Sequence, residues 1–214
     1  MGNTFSGTLT LLVFLPTLGA LLLILLPRQA AGLLFKTGLF FTLLTFAWSL
    51  RILWIFVGSR SAPQLIDRVA WIPAYGIDYF VGVDGLNLFL VLLTTFLTPL
   101  VVLASWTVAE KIKEYLFFML ILETGMIGTF VSLDLFLFYV FWEVMLIPMY
   151  FIIGIWGGPR RLYAALKFVL YTMSGSLLML VAIIFLAVRQ SDLTQTLTFD
   201  VIRIYDLNLP YEEQ

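Results

Sequence analysis

Apolar residues in this chain are collected into six long runs, each close to the length needed to cross a bilayer. A membrane-spanning helix requires about 20 mainly apolar residues. Few charged side chains lie inside the runs, and polar segments separate them. The predicted helices cover residues 7–26, 37–57, 85–106, 115–132, 135–156 and 163–188. The pattern predicts an all-α, multi-pass membrane domain over residues 1–188 and a polar tail over residues 189–214.

The connections between the runs carry their own signals. The long segment between the second and third runs is rich in aromatic and turn-forming residues, which predicts a short hairpin or a stretch along the membrane interface. Only residues 132–134 separate the fourth and fifth runs, so these helices should form a tight antiparallel pair. Asp134 is placed to cap the fifth helix. Asp84 is placed to cap the third, a simpler role than that of a binding site.

The composition supports a membrane protein and narrows its chemistry. Hydrophobic residues make up 62% of the chain and charged residues 12%, against roughly 25% charged in soluble domains, and the mean hydropathy is +1.04. The absence of Cys and His excludes thiolate, iron–sulfur and histidine sites. A net charge of −1 provides no basic surface for nucleic acid. We therefore expect no redox cofactor in this chain and no nucleic-acid partner.

Lys and Arg residues in the connections predict the orientation, because cytoplasmic loops are enriched in them. One side of the predicted bundle carries Arg28, Lys36, Lys111, Lys113, Arg160 and Arg161. The other side carries Arg60, Arg68, Arg189 and Arg203. The first side is expected to be cytoplasmic, which places both ends of this chain outside. The first run lacks a charged segment before it, which favours a retained helix over a signal peptide.

Two carboxylates lie inside predicted membrane helices. Glu123 lies ten residues before Leu133 and Glu143 ten residues after it, so the two share a depth near mid-bilayer in an antiparallel pair. Ionisable groups at such depth usually mark function. Two carboxylates at one depth, or the desolvation of either one, would raise the pKa of at least one of them, and a group that exchanges a proton at working pH can relay protons. Close packing beside Thr124 and Gly125 is the simpler interpretation of Glu123.

Lys167 and Pro148 complete the set of candidates. Lys167 lies near the cytoplasmic start of the sixth helix, about 10 Å along the membrane normal from Glu143, too far for a direct ion pair. Tyr171 and Ser174 share its helix face and suit a hydrated half-channel, although Lys167 could instead extend to the surface. Pro148 cannot donate to the carbonyl of the residue four positions earlier, which predicts a kink beyond Glu143.

Several motifs together resemble a known family. The segments FWEVMLIPMY, GGPRR and VGVDGLNLFL, with an upstream WIP, closely resemble the subunit M family of proton-pumping NADH:quinone oxidoreductase, respiratory complex I. The mitochondrial counterpart in that family is subunit 4, and the wider group includes cation/proton antiporter subunits. The match extends from about Trp71 to Val188, and more loosely from the N-terminus.

This resemblance implies a fold and a function. Members of the family have fourteen helices in two inverted five-helix repeats, each with a broken helix, so this chain would be an incomplete antiporter-like bundle. They carry no cofactor and move protons through buried charged residues. NADH, FMN, iron–sulfur clusters and quinone would be bound by partner subunits. Glu143 matches the fifth-helix glutamate that is paired with a lysine on the seventh helix, and Lys167 matches the sixth-helix lysine.

The resemblance also implies partners and a location, and it leaves alternative functions open. The other membrane subunits of complex I, the lipid bilayer, protons and water would be the partners, in a bacterial inner membrane. The chain stops at Gln214, before any seventh helix, so we expect a fragment rather than a separately encoded half. Alternatives are a subunit of a multisubunit sodium/proton antiporter or membrane-bound hydrogenase, and a non-catalytic membrane scaffold or assembly factor.

Overall fold

The computed structural model describes residues 6–58, 62–108 and 110–205 of the chain. Six helices in these ranges are long and apolar enough to cross a membrane: α1 (Thr8–Leu25), α2 (Ala31–Ile55), α3 (Asn87–Ala104), α4 (Ile112–Val131), α5 (Leu135–Trp156) and α6 (Arg161–Thr194). Two strands, β1 (Gln64–Ile72) and β2 (Ile77–Val83), lie between α2 and α3, and a short helix α7 (Val201–Tyr205) follows α6. The six-helix prediction is confirmed.

Three helices extend beyond their predicted bounds. The second and fourth begin earlier than predicted, at Ala31 and Ile112, and the sixth covers Arg161–Thr194. In α4 the ammonium group of Lys113 donates at 2.7 Å to each of two carbonyl oxygens at the end of α1. A charged side chain near a helix end can bind neighbouring carbonyls or reach water, so polarity alone does not end these helices.

The prediction that a polar tail begins at residue 189 is wrong. The last two turns of α6 continue to Thr194, because polar side chains in them bond within the helix. The amide nitrogen of buried Gln190 donates to the Thr194 hydroxyl at 2.8 Å. The helix ends at Gln195, whose φ of 58° is left-handed. Of the predicted tail, residues 206–214 lie outside the described residues.

The segment between α2 and α3 forms a hairpin, the first of its two predicted alternatives. Strands β1 and β2 pair antiparallel, with Asp67 opposite Val81 and Arg68 opposite Phe80. The N–H of Leu133, in the turn between α4 and α5, donates to the Phe80 carbonyl at 2.8 Å. The hairpin is therefore fastened across one end of the helix bundle, which we call the hairpin end, and adds a two-stranded sheet to an otherwise helical fold.

The chain beyond α6 returns to this hairpin end. The N–H of Leu135 donates to the Phe199 carbonyl at 2.8 Å, and the N–H of Val201 donates to the Leu133 carbonyl at 2.9 Å. The first described residue, Ser6, also bonds to the hairpin. Both ends of the described chain thus lie at one end of the bundle, and their placement outside the membrane stays a prediction. Arg60, part of that charge count, lies outside the described residues.

The helices pack in a definite order. Helix α1 contacts α2 and α4, α3 contacts α2 and α4, α5 contacts α4, and α6 contacts α5. Gly125 and Gly128 of α4 lie directly against Met145 and Phe141 of α5, where any side chain on either glycine would overlap its neighbour. These glycines permit the close antiparallel pairing predicted from the short turn. The pairing also fixes which face of α4 points towards α5.

Candidate functional site

Glu143 lies in a groove between α5 and α6. It is about 12 Å from the hairpin end of α5 and about 20 Å from the other end, at 1.5 Å per residue. The groove has a volume of about 730 Å³ and a mainly apolar lining that includes Val144, Tyr150, Leu170 and Met173. The Oε1 atom of Glu143 is buried and has no hydrogen-bond partner among the residues that the structure describes. A carboxyl group is therefore held at mid-membrane depth with few hydrogen bonds to replace those that it would form with water.

Two hydroxyl groups that the sequence analysis did not identify accompany Glu143. Tyr139 lies one helical turn earlier on α5, and its hydroxyl interacts with both the Glu143 carboxyl group and the hydroxyl of Ser176 on α6. Ser176 is 3% exposed and donates its own proton to the Met173 carbonyl at 3.1 Å. The i, i−4 spacing of Tyr139 was a usable signal. For Ser176 no comparable signal exists, because its position depends on how α6 packs against α5.

Pro148 lies inside α5, which continues through it to Trp156. Proline has no backbone N–H, so the carbonyl of Val144 lacks its usual helical partner. Val144 lines the same groove as Glu143. The proline thus adds a polar carbonyl beside the carboxyl group, as expected, while the predicted kink stays a prediction.

Lys167 lies in a second cavity, away from the hairpin end. This cavity has a volume of about 740 Å³ and is also lined by Tyr171, Gly157, Arg160 and Arg161. The Lys167 ammonium nitrogen lies 6.0 Å from the centre of the Tyr163 ring. Lys167 is exposed and, within the described part of the chain, forms no ion pair with Glu143. The absence of a direct pair agrees with the expectation, and the axial offset of about 10 Å from Glu143 stays a prediction.

The predicted polar stripe on α6 is only partly present. Tyr171 lines the cavity of Lys167, as its i+4 spacing predicted. Ser174 is exposed and donates to the Leu170 carbonyl at 2.7 Å, and it lines neither this cavity nor the groove of Glu143. The buried hydroxyl of α6 that lies near Tyr139 is Ser176 instead, which is turned by about 200° from Ser174 around the helix.

Glu123 matches Glu143 in depth but not in direction. It lies about 12 Å from the hairpin end of α4, as predicted. At 100° per residue, however, it lies nearly opposite Gly125 and Gly128, which contact α5. Glu123 is fully buried and interacts with Thr98 of α3. Helix α4 therefore separates the two carboxyl groups, which share a depth but face different neighbours, and the expected effect on their ionisation stays a prediction.

Both predicted helix caps are present. The Oδ1 atom of Asp134 accepts from the backbone N–H groups of Phe136 and Leu137 at 2.9 and 3.0 Å. Its Oδ2 atom accepts from the N–H of Asp78 in β2 at 3.1 Å, so the cap also fastens the hairpin. Burial raises the pKa of Asp134 despite these three bonds. Asp84 accepts from the two N–H groups at the start of α3, both at 2.8 Å.

The hairpin end also contains a charged cluster that the sequence analysis did not predict. The Arg68 guanidinium contacts Asp78 at 2.7 Å and Asp200 at 2.9 Å, and it stacks 4.4 Å above the Phe80 ring. Burial opposes the charge of Arg68, but the two carboxylates outweigh it and raise its pKa. From the sequence, Arg68 contributed only to the prediction of orientation, because its partners lie in β2 and in the segment after α6. The cluster joins β1, β2 and the segment after α6.

Family comparisons agree with this architecture. Residues 10–132 match the family described as "NADH-ubiquinone oxidoreductase chain 4, amino terminus". Residues 132–210 match the domain described as "NADH:quinone oxidoreductase/Mrp antiporter, TM". The chain is also similar to a chain of respiratory complex I from Thermus thermophilus with bound NADH, at a TM-score of 0.78 and 29% identity, covering 95% of this chain and 40% of that one. The incomplete antiporter-like bundle is thereby supported as the fold.

Individual relatives show sequence similarity to the same family. NADH-quinone oxidoreductase subunit M of Rhodobacter capsulatus is 42% identical over 201 residues, covering 91% of this chain and 39% of the relative. NADH-ubiquinone oxidoreductase chain 4 of Marchantia polymorpha is 42% identical over 185 residues, covering 85% and 37%. This chain thus spans about two fifths of the length of these relatives. Because the first family match covers more than half of the chain, the protein belongs to the NADH-ubiquinone oxidoreductase chain 4 family.

Proposed function

We propose that this chain is part of a proton-translocating membrane subunit of NADH:quinone oxidoreductase, and that Glu143 binds the transported proton. The observation that supports this most directly is the burial of an unpartnered Glu143 oxygen in the α5–α6 groove. Ionising such a group at mid-membrane depth costs at least about 2.5 kcal/mol. Its proton affinity therefore depends strongly on any polar or charged group that approaches the groove.

Tyr139 and Ser176 provide a short relay beside Glu143. The Ser176 O–H donates to a backbone carbonyl, so its oxygen can accept the single proton of the Tyr139 hydroxyl whenever that proton does not point at Glu143. In the loading step, the Glu143 carboxylate accepts a proton from water or from Tyr139 and becomes neutral. Where Tyr139 is the donor, water returns a proton to its oxygen. In the release step the neutral carboxyl group gives its proton to water, which restores the carboxylate, so protons and charge balance over the cycle.

Lys167 is the second protonatable group in this proposal. It lies about 9 Å inside the start of α6, whereas Glu143 lies about 20 Å from the same end of α5. Water must bridge this difference, because the two side chains form no direct pair. Its cavity also contains Arg160 and Arg161, which line the cavity together with Lys167. An amine that has given its proton to water there can accept another one and pass it on.

The driving reaction is assigned to other subunits. NADH, FMN, iron–sulfur clusters and quinone bind in those partners, and this chain contributes proton transfer alone. Other membrane subunits of the complex, lipid and water are its partners in a bacterial inner membrane. The names of the relatives and the apolar spans support this part of the proposal.

The experiment replaces one carboxyl group in the whole complex. Glu143→Gln should strongly reduce NADH-driven acidification in membrane vesicles, followed with a pH-sensitive dye, while NADH oxidation by an artificial acceptor at the peripheral subunits continues. The matched control is Glu114→Gln, because Glu114 lies on α4 but is partly exposed and pairs with Arg28 at 2.8 Å. Equal pumping in the two variants would refute the role of Glu143 and favour the scaffold alternative.

An antiporter subunit remains the second candidate, because the matched domain over residues 132–210 is named for both complex I and Mrp antiporters. The two candidates differ in what drives transport. Sodium-driven proton movement without NADH, lost in Glu143→Gln, would favour the antiporter. NADH-driven movement that is insensitive to sodium supports the complex I assignment.

A further inference from the structure

Glu123 occupies an environment that the proposed proton path does not use. It is fully buried, and neither carboxyl oxygen has a hydrogen-bond partner among the described residues. The neighbouring helices place hydroxyl groups, most of them buried, around the middle of the bundle. This hydroxyl layer consists of Thr17 on α1, Thr42, Thr45 and Ser49 on α2, Thr95 and Thr98 on α3, and Thr124 on α4. A lone carboxyl group therefore lies within a polar layer inside the α1–α4 bundle.

The hydrogen bonds of this layer determine which form of Glu123 it accepts. The Thr98 hydroxyl lies near Glu123 without forming a hydrogen bond to it in the structure, and it already donates its single proton to the Thr94 carbonyl at 2.9 Å. Thr98 can therefore only accept a further hydrogen bond, and a carboxylate has none to give. A protonated carboxyl group carries the matching O–H donor. The geometry accordingly favours neutral Glu123 over its ionised form.

The remaining hydroxyls are engaged elsewhere. Ser49 and Thr95 bond to each other at 2.8 Å, and Thr17 and Thr124 bond to each other at 2.7 Å. Among the described residues Glu123 belongs to no group of three or more acidic side chains that could hold a metal ion, and a proton needs only one acceptor. The layer therefore suits a proton rather than a sodium ion.

Within the part of the chain that the structure describes, no cation faces Glu123 to stabilise its charge. Helices α1 and α3 contain no charged residue along their described lengths. On α2, Lys36 and Arg51 are exposed and lie away from its centre, and Arg51 stacks on Trp48 at 4.6 Å. On α4 itself, Lys113 and Glu114 lie about 14 Å away, near the helix start. Glu143 lies on the far side of α4.

Apolar clusters close the layer at both ends. Towards the hairpin end, the buried cluster contains Leu9, Leu12, Val13, Ile52, Val91 and Ile127. Towards the other end, it contains Ala20, Leu23, Leu34, Val102, Leu116 and Leu120. Water can reach Glu123 only when these helices separate, so proton exchange is expected to be slow.

We propose that Glu123 and Thr98 form a resident proton-binding site inside the α1–α4 bundle, separate from the Glu143 groove and filled at neutral pH. The proton stays on Glu123 while Glu143 exchanges its own proton. The site stands independently of the proposed function, because it rests on burial and hydrogen bonding within the first four helices.

Infrared difference spectra of the purified complex test this site. The carbonyl stretch of a protonated carboxyl group should disappear in Glu123→Gln, persist in Glu143→Gln, and remain through neutral and mildly alkaline pH. In D₂O its shift should be slower than that of other carboxyl groups. Thr98→Val should move the band, whereas the matched control Thr124→Val, which removes an equally buried hydroxyl, should leave it in place.

Stability provides a second readout of the same site. Glu123→Gln keeps the shape of a neutral acid and a carbonyl oxygen and donor in its place, so the midpoint of its thermal unfolding should match that of the parent. The proposal is overturned if no band is lost in Glu123→Gln, if the band converts to a carboxylate near neutral pH, or if sodium ions remove it. A loss of pumping in Glu143→Gln bears only on the proposed function.

Discussion

Asp67 of β1 caps helix α1 from outside that helix, and its replacement should destabilise the hairpin end. Its Oδ1 atom accepts from the Ser6 N–H at 2.7 Å, the Ser6 hydroxyl at 2.9 Å and the Gly7 N–H at 2.8 Å. Its Oδ2 atom accepts from the Thr10 N–H at 3.0 Å and the Thr10 hydroxyl at 2.8 Å. Three N–H groups at a helix start thus depend on one buried carboxylate.

The magnitude follows from these bonds. Each hydrogen bond to a charged group contributes about 1.5–3 kcal/mol, but the hydroxyls can find other partners and loss of a cap alone costs about 1 kcal/mol. We expect Asp67→Ala to lower the free energy of unfolding by about 3 kcal/mol, because three backbone donors lose their partner. Asp67→Asn should cost about 1–2 kcal/mol, since one amide oxygen remains.

The pH dependence gives a sharper signature. Burial opposes ionisation of Asp67, but its hydrogen bonds from Thr10, Ser6 and Gly7 outweigh burial and lower its pKa below the usual value. A carboxyl group with a lowered folded pKa stabilises the protein above its unfolded pKa of about 4, and this contribution is lost as the pH falls through the folded pKa. The gap between parent and Asp67→Ala should therefore shrink in acid.

Tryptophan fluorescence during thermal unfolding in detergent measures this gap, and Trp48 is a local probe because its indole donates to the Thr8 carbonyl at 3.0 Å. Asp192→Ala is the control: the Asp192 side chain is 61% exposed, and its ion pair with Arg189 is long, at 3.9 Å. The reasoning fails if Asp67→Ala is no worse than this control, or if its effect is the same at neutral and strongly acidic pH.

Two further substitutions test the helix pairing and the cap of α5. Gly128→Leu should destabilise the protein by about 1–3 kcal/mol, because the new side chain overlaps Phe141. The control Gly32→Ala has open space around it and should cost far less. Thermal unfolding compares the two variants, and equal losses of stability would contradict the close contact. Asp134→Ala should cost about 1–2 kcal/mol. Asp134→Asn should cost less than the same change at Asp67, because burial raises the pKa of Asp134; the reverse order in denaturation experiments would contradict this account.

The residues around Glu143 show which parts of the site could be identified from the sequence. Glu143, Pro148 and Lys167 could be identified because charged or helix-breaking residues are costly inside apolar runs. Tyr139 could have been identified from its i, i−4 spacing relative to Glu143. Ser176 was not, because a serine in an apolar helix has the same local signal whether it faces lipid, a neighbouring helix or a carboxyl group.

The number and placement of the membrane helices followed from the sequence alone. A bilayer sets the length of an apolar span, and backbone hydrogen bonding makes that span helical, so local composition suffices. The caps at Asp84 and Asp134 followed for the same local reason. The equal depth of Glu123 and Glu143 needed only the helix rise and one short turn.

The directions of these side chains were decided only by the tertiary structure. Glu123 faces a closed hydroxyl layer and Glu143 faces a groove on the other side of α4, because Gly125 and Gly128 allow only one face of that helix to meet α5. The pairing of Arg68 with Asp78 and Asp200 likewise joins segments far apart in the chain. Depth is a property of one helix, whereas a facing partner is a property of how several helices and strands pack together.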